Sequence, residues 1–446
     1  MKREKKKIMI KNILLPIFLL INYSCNTTEP PPPTQEKPKA VELNLIETTC
    51  TEAFISVTAE DTILPVNITL NRDENQFLNF TLTNPDTIII DETLLPGKTY
   101  VYQTRSIING NEEIGDTLQV RTLDTTSHNF TWQTFTFGEP ETAGSSTMND
   151  VSVIDQNNIY AVGEIFVNDS TGQPDPNAYN SIQWNGIDWK YKRISVIHNG
   201  NLITSPLYGI YEFSLNDIWL SSGVPIHGDG NNWTQFHLFD MGVLDQNDGY
   251  LTKIWGLSSL NLYYVGTLGT IAYSQNGTWQ KIESGITSDL LNIWGTKEIM
   301  NGSLKILVTA SSINDYKILS INGSSAKDTL EWSASRSLCG IWVDGRRTYA
   351  SGADIWINEK DNWRQATSTG YFFTTVRGTK CNNIYGIGPD GIVHFNGSSW
   401  QIVKQRPEGI VLIAGDCNDN IVAAVGFTSS GGVVGKAAVL LGTLNK

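Results

Sequence analysis

The placement of tryptophan constrains the fold more than any other feature. All 13 Trp of the 446 residues lie between Trp132 and Trp400. Within that segment a unit recurs. Its clearest copy reads Ile254-Trp255-Gly256, then Leu262-Tyr263-Tyr264-Val265-Gly266, then Thr270-Ile271-Ala272-Tyr273, then Asn276-Gly277-Thr278-Trp279. That is four short strands joined by tight turns, with Asn-Gly marking the last hairpin. Related copies carry Asn158-Ile159-Tyr160-Ala161-Val162-Gly163, Asn216-Asp217-Ile218-Trp219, Tyr349-Ala350-Ser351-Gly352 and Asn383-Ile384-Tyr385-Gly386. A degenerate copy runs from Ile293-Trp294-Gly295 to Trp332.

The fourth-strand tryptophans are Trp189, Trp233, Trp279, Trp332, Trp363 and Trp400. Four-stranded units of that spacing are the blades of a β-propeller. The final unit, 409–441, supplies only three strands. Residues 130–136 match a Trp-bearing fourth strand and would complete it, removing an exposed sheet edge. The expected count is seven blades over 126–446. This segment resembles bacterial secreted propellers with a Gly-x-x-Trp repeat, which implies architecture only. One Trp per blade at a fixed strand position reads as packing between blades rather than a sugar platform.

Residues 1–24 read as a signal peptide. Lys2, Arg3, Lys5, Lys6 and Lys7 precede an apolar run, 13–21, too short to span a bilayer. The run ends at Ser24-Cys25, and here the chain resembles a bacterial lipoprotein. The resemblance implies lipidation of Cys25. Residues 25–39 then form a tether in which Pro30 to Pro33 favour extended polyproline II, holding the next domain about 40 Å from a membrane. Without residues 1–24 the chain carries 26 basic and 44 acidic residues, a net charge of −18. That balance argues against nucleic acid and leaves the lipid anchor as the only membrane attachment.

The 40–125 segment contains seven short alternating runs: 41–45, 54–58, 66–70, 77–82, 87–90, 100–107 and 118–122. Such spacing suggests a β-sandwich. Leu94-Leu95-Pro96-Gly97-Lys98-Thr99-Tyr100 and the final Val120-Arg121-Thr122 resemble a fibronectin type III domain. The resemblance makes Tyr100 the corner tyrosine, tied by its hydroxyl to upstream backbone. The second strand lacks the usual Trp, so Phe54, Phe77 and Phe80 are expected to fill the core. The expected fold class is therefore all-β, a fibronectin type III-like sandwich followed by a seven-bladed propeller.

Catalytic signatures are missing. No Ser-His-Asp arrangement, phosphate loop or dinucleotide fingerprint is present, so no catalytic residue is assigned. Ser274-Gln275-Asn276-Gly277-Thr278-Trp279 is shorter than a sialidase Asp box and lacks its Asp. The five His (128, 198, 227, 237, 394) show no metal-type spacing, so no metal ligand is assigned. Cys381 and Cys417 occupy equivalent turns of neighbouring blades and could be bridged. Cys50 belongs to the sandwich, and Cys339 reads as a small core residue.

Three long loops, 164–180, 195–206 and 239–250, come from consecutive blades and share one face. They are rich in amide, carboxylate and tyrosine, including Asn168, Asp169, Asp175, His198, Asn201 and Asp240. The expected ligand contacts are Tyr179, Asn180, Asp245, Asp248 and Tyr250. These groups suit sugar hydroxyls or a protein epitope, and their carboxylates would also suit calcium; no other cofactor is expected. The sequence thus points to a lipid-anchored, extracytoplasmic binding protein of the cell envelope, at the outer membrane, with a glycan or envelope-protein partner. The alternatives are a glycan hydrolase or lyase using the same face, and a purely structural envelope component.

Overall fold

The computed structural model describes residues 41–445, apart from 61–62, 299–301, 313–314, 331, 333–336 and 360–361. Cys25 and the proline tether lie outside the described residues. The fold is all-β, with a short 3-10 turn at Thr267–Gly269.

All seven expected strands of the first unit are present, in two sheets. Val41–Thr48, Ala53–Ala59 and Asp86–Asp91 form one sheet. Asn75–Leu82, Val66–Arg72, Thr99–Ile108 and Asn111–Arg121 form the other, in that order. Alternation explains the facing core: Ile55 and Val57 from one sheet meet Ile68, Leu70, Tyr102 and Val120 from the other. Phe77 and Phe80 pack, partly buried, against this core, but Phe54 does not fill it as expected: it alternates with inward-facing Ala53 and Ile55 and is buried under Arg346 instead. The Tyr100 hydroxyl accepts the Leu95 N–H at 2.8 Å, the expected backbone tie. Inside the core, Asp91 accepts from Arg72 (2.6 Å), Tyr102 (2.7 Å) and the Thr93 hydroxyl (2.7 Å). Burial would raise the Asp91 pKa, but these donors outweigh it and hold the carboxyl below its usual range.

Beyond residue 126 the described residues form seven four-stranded sheets and one two-stranded hairpin. The innermost strands are Thr147–Asp155, Gly209–Ser214, Leu251–Ser258, Asp289–Lys297, Leu338–Val343, Thr375–Lys380 and Ile410–Cys417. Each packs against the next, and Ile410–Cys417 returns to Thr147–Asp155. Second strands such as Asn261–Gly266 are buried almost throughout, because a neighbouring sheet covers each face. Asn276 (φ 52°) and Gly277 (φ 78°) both sit in the left-handed region, as a two-residue hairpin turn requires. Phe130–Phe137 pairs antiparallel with Val433–Leu444, placing Phe137 opposite Ala437 and Phe130 opposite Leu444.

The repeated tryptophans pack between sheets. Trp279 meets Trp219 and Phe236 of the preceding sheet, and Trp189 meets Phe135 and Phe137 of the chain-closing strand. Trp332 departs from the expected pattern. It lies beyond the end of Ser325–Leu330 and reaches Trp363 edge-on at 4.9 Å.

The expected Cys381–Cys417 bridge is not formed; Cys50, Cys339, Cys381 and Cys417 are free thiols. Cys417 points into the apolar layer around Tyr385 and Val422. Cys381 has Arg346, Asp344, Glu47 and Cys50 as neighbours. Equivalent turns therefore direct the two side chains to different surroundings.

The first unit docks on the turns of the fifth and sixth four-stranded sheets of the second. Glu52 accepts from Arg346 at 3.0 Å and Arg347 at 2.5 Å, and all three side chains are largely buried. The Arg346 guanidinium also lies over the Phe54 ring, 4.7 Å from its centroid. Asn382 donates to the Asp124 carbonyl, and the Thr126 hydroxyl donates to the Asn382 carbonyl. The long loops lie on the opposite face, between second and third strands or between successive sheets.

Candidate functional site

The three long loops form one continuous but heavily cross-braced surface. Asp169 caps Thr171 and Gln173 within its own loop. Asp175 pairs with Arg193, which also donates to the Asn177 carbonyl at 2.8 Å. Residues 196–203 form the small hairpin, with Ile197 opposite Leu202.

Four of the five expected ligand contacts are committed to this bracing. Tyr179 lies in Tyr179–Trp184, beside Tyr191 and under the Arg193 guanidinium, 3.9 Å from its ring centroid. One face of the ring is therefore covered. Asn180 is 2% exposed; it donates to the Ile194 and Ser205 carbonyls and accepts the Ile194 N–H. It clasps the third strand to the following loop. Asp248 binds Lys281 at 2.8 Å and accepts the Asp245 N–H. Asp245 accepts the Asn247 N–H within the same turn, although its side chain remains on the surface. Tyr250 alone fits the expectation of a free aromatic, at 68% exposure. Ile197, Leu202, Tyr208, Met241 and Leu268 are also exposed on this face.

The geometry brings together one cluster that sequence spacing conceals. His198, from the hairpin, stacks on His237 with ring centroids 4.5 Å apart. Asp240 lies 3.2 Å from His237 Nδ1 and 3.8 Å from His198 Nε2. The ligating atoms of all three fall within 4.8 Å of one another.

A second feature runs through the middle of the ring. The inner strands enclose a cavity of about 350 Å3 lined by Asp150, Ser152, Tyr211, Glu212, Lys253, Arg377 and Asp416. Lys253 pairs with Asp150 at 2.8 Å. Asp416 accepts the Val153 N–H at 2.8 Å. Arg377 donates to the Ile341 and Val376 carbonyls and to Asn292, and it stacks on Trp294. Burial pushes the Asp416 carboxyl up to about 6, against the opposing pull of the Val153 N–H and Arg377. Burial, with Asp416 nearby, raises Glu212 well above the usual carboxylate range. Both Glu212 oxygens are sealed from solvent without a well-aligned hydrogen bond. Two raised carboxylates thus share a polar cavity, an arrangement capable of proton transfer.

At the docked end, Tyr211 and Trp294 also line a second cavity, of about 630 Å3, roofed by Glu47 and Leu123 of the first unit. The first unit therefore covers part of this mouth of the channel, while the long-loop face stays uncovered by it.

No protein-family model matches the chain, and no curated protein matches it. Among solved structures it is similar to YCF48 bound to D1 peptide, at 16% identity and a TM-score of 0.49, covering 71% of this chain and 95% of that one. It is similar to BBS1N in complex with ARL6DN, at 12% identity and a TM-score of 0.46, covering 71% and 98%. A third likeness is to the C-terminal WD40 domain of Sif2, at 11% identity and a TM-score of 0.39, covering 78% and 92%.

Proposed function

We propose that the chain is a lipid-anchored binding protein of the cell envelope, at the outer membrane. In this reading a fibronectin type III-like spacer carries a seven-bladed propeller, and the long-loop face engages a protein or glycan partner without turning it over. One observation carries it. Exposed Ile197, Leu202, Tyr208, Met241, Tyr250 and Leu268 gather on the face turned away from the docked first unit. Exposed apolar groups on a rigid scaffold, rimmed by polar loops, are what a partner surface needs. The interaction is therefore carried by Tyr250 and its apolar neighbours rather than by Tyr179 or Asn180.

The test is a protein and glycan array probed with the Cys25→Ser chain. Tyr250→Ala combined with Leu202→Ser should weaken the best hit by about 1–3 kcal/mol with an unchanged melting temperature. Unchanged affinity with an intact fold would remove this face as the site.

The raised Glu212 and Asp416 favour a second reading, an acid–base enzyme working through the ring cavity. Turnover of an array ligand that is lost in Glu212→Gln, but kept in the Tyr250 variant, would replace the binding reading with this one.

A further inference from the structure

We propose that His198, His237 and Asp240 hold a divalent transition-metal ion of the zinc class. The proposal does not depend on which partner the loop face engages. The donor separations of 3.2 and 3.8 Å are close to the roughly 3.3 Å between ligands around a tetrahedral ion with bonds of about 2.0 Å.

The surrounding hydrogen bonds show which contacts the ion would replace. The Asn199 amide nitrogen lies 3.1 Å from His198 Nε2, and the Asp240 backbone N–H donates to His237 Nδ1 at 3.4 Å. The Asp240 N–H can only donate, so His237 Nδ1 carries the lone pair there, and the long 3.4 Å contact is readily exchanged for a bond to the ion; the Asn199 amide likewise turns away from His198 Nε2 when the ion binds. The Asp240 carboxylate, itself an acceptor, faces the same two nitrogens.

The site is also anchored. His198 is paired with Asn201 across the small hairpin. His237 and Asp240 are carried by a compact turn in which the Met241 N–H donates to the His237 carbonyl, and the Val243 and Leu244 N–H groups donate to the Leu238 carbonyl. Two imidazoles and one carboxylate suit zinc, cobalt or nickel, whereas calcium takes oxygen ligands. Asp240 is well exposed, so the remaining coordination positions face solvent, where water or a partner's side chain can bind.

The full-length chain, stripped with a chelator, should bind one equivalent of Zn2+ in calorimetry and melt at a higher temperature with the ion present. Co2+ should give the ligand-field absorption of a nitrogen- and oxygen-ligated ion. His198→Ala and His237→Ala should each weaken Zn2+ binding at least about tenfold and remove the thermal shift. Asp240→Asn, at an exposed position, removes the carboxylate without disturbing packing and should also weaken binding. Each variant is compared with the parent chain in chelator, so a folding defect registers separately. Equal Zn2+ affinity in the His198→Ala/His237→Ala double variant, or no ligand-field bands from the Co2+-treated parent, would overturn the assignment.

Discussion

Removing Glu52 tests whether the two units are held as one body by a buried charge cluster. The Glu52 carboxylate, 8% exposed, accepts from Arg346, Arg347 and the Thr49 hydroxyl. Glu52→Ala deprives two largely buried guanidinium groups of a shared counter-charge. Breaking a buried pair in this way costs about 3–5 kcal/mol. The lower end applies here, because Arg347 keeps Glu359, and Arg346 keeps Asp344 at 3.8 Å and the Phe54 ring. A loss of about 3 kcal/mol shifts the docking equilibrium by about a hundredfold. Calorimetry should then resolve two transitions where the parent shows one, and the 122–129 linker should become sensitive to limited proteolysis. High salt should mimic the variant only weakly, since buried pairs are poorly screened. A change below about 0.5 kcal/mol would refute the reasoning, as would an equal loss when Arg346 and Arg347 are already replaced by Met.

Other expectations follow from single residues. Asn180→Ala leaves buried carbonyls and an N–H unmet and should cost about 2–3 kcal/mol in thermal unfolding while sparing binding at Tyr250. Burial, with His128 alongside, pushes His394 down to about 3, so its imidazole is neutral in the folded state. An unfolded chain takes up that proton near pH 6.5; the stability contributed is full above about 6.5 and is lost as pH falls toward 3. His394→Gln should flatten that slope in an acid titration of the melting temperature, and an unaltered slope would refute the assignment. Cys25→Ser should move the chain from the membrane to the soluble fraction in detergent partitioning; retention would refute lipidation.

The architecture was legible because it is written in local patterns. Alternation marked the seven strands of the first unit, and Asn276-Gly277 marked a turn the backbone adopts. The site was less legible, since residue type does not reveal whether bonding capacity is already used. Tyr179 looked like a free ring, yet Arg193, fourteen positions onward, covers it. Asp248 looked like a ligand, yet Lys281 neutralises it. His198 meets His237 and Asp240 only because consecutive sheets stack, which no local spacing encodes. The channel carboxylates had a fainter signal. Aligning the units by their first strands would have placed Asp150, Glu212, Lys253, Arg377 and Asp416 together as charges on the ring's inner wall.

The pairing of Phe130–Phe137 with Val433–Leu444 governs when this molecule can become whole. A ribosome makes one half of that pairing early and the other more than 300 residues later; Thr131 and Asn445, which share a hydrogen bond, are 314 positions apart. Until the late strand arrives, Trp132 and its neighbours have no sheet to join, and each intervening sheet assembles against an unfinished circle. Contacts this distant form slowly, after local hairpins are in place. A nascent chain stalled before residue 433 would keep an unpaired strand on show, a ready target for chaperones and proteases. The seam thus ties closure of the last sheet to synthesis of 433–444: a product interrupted earlier would keep an unmatched edge.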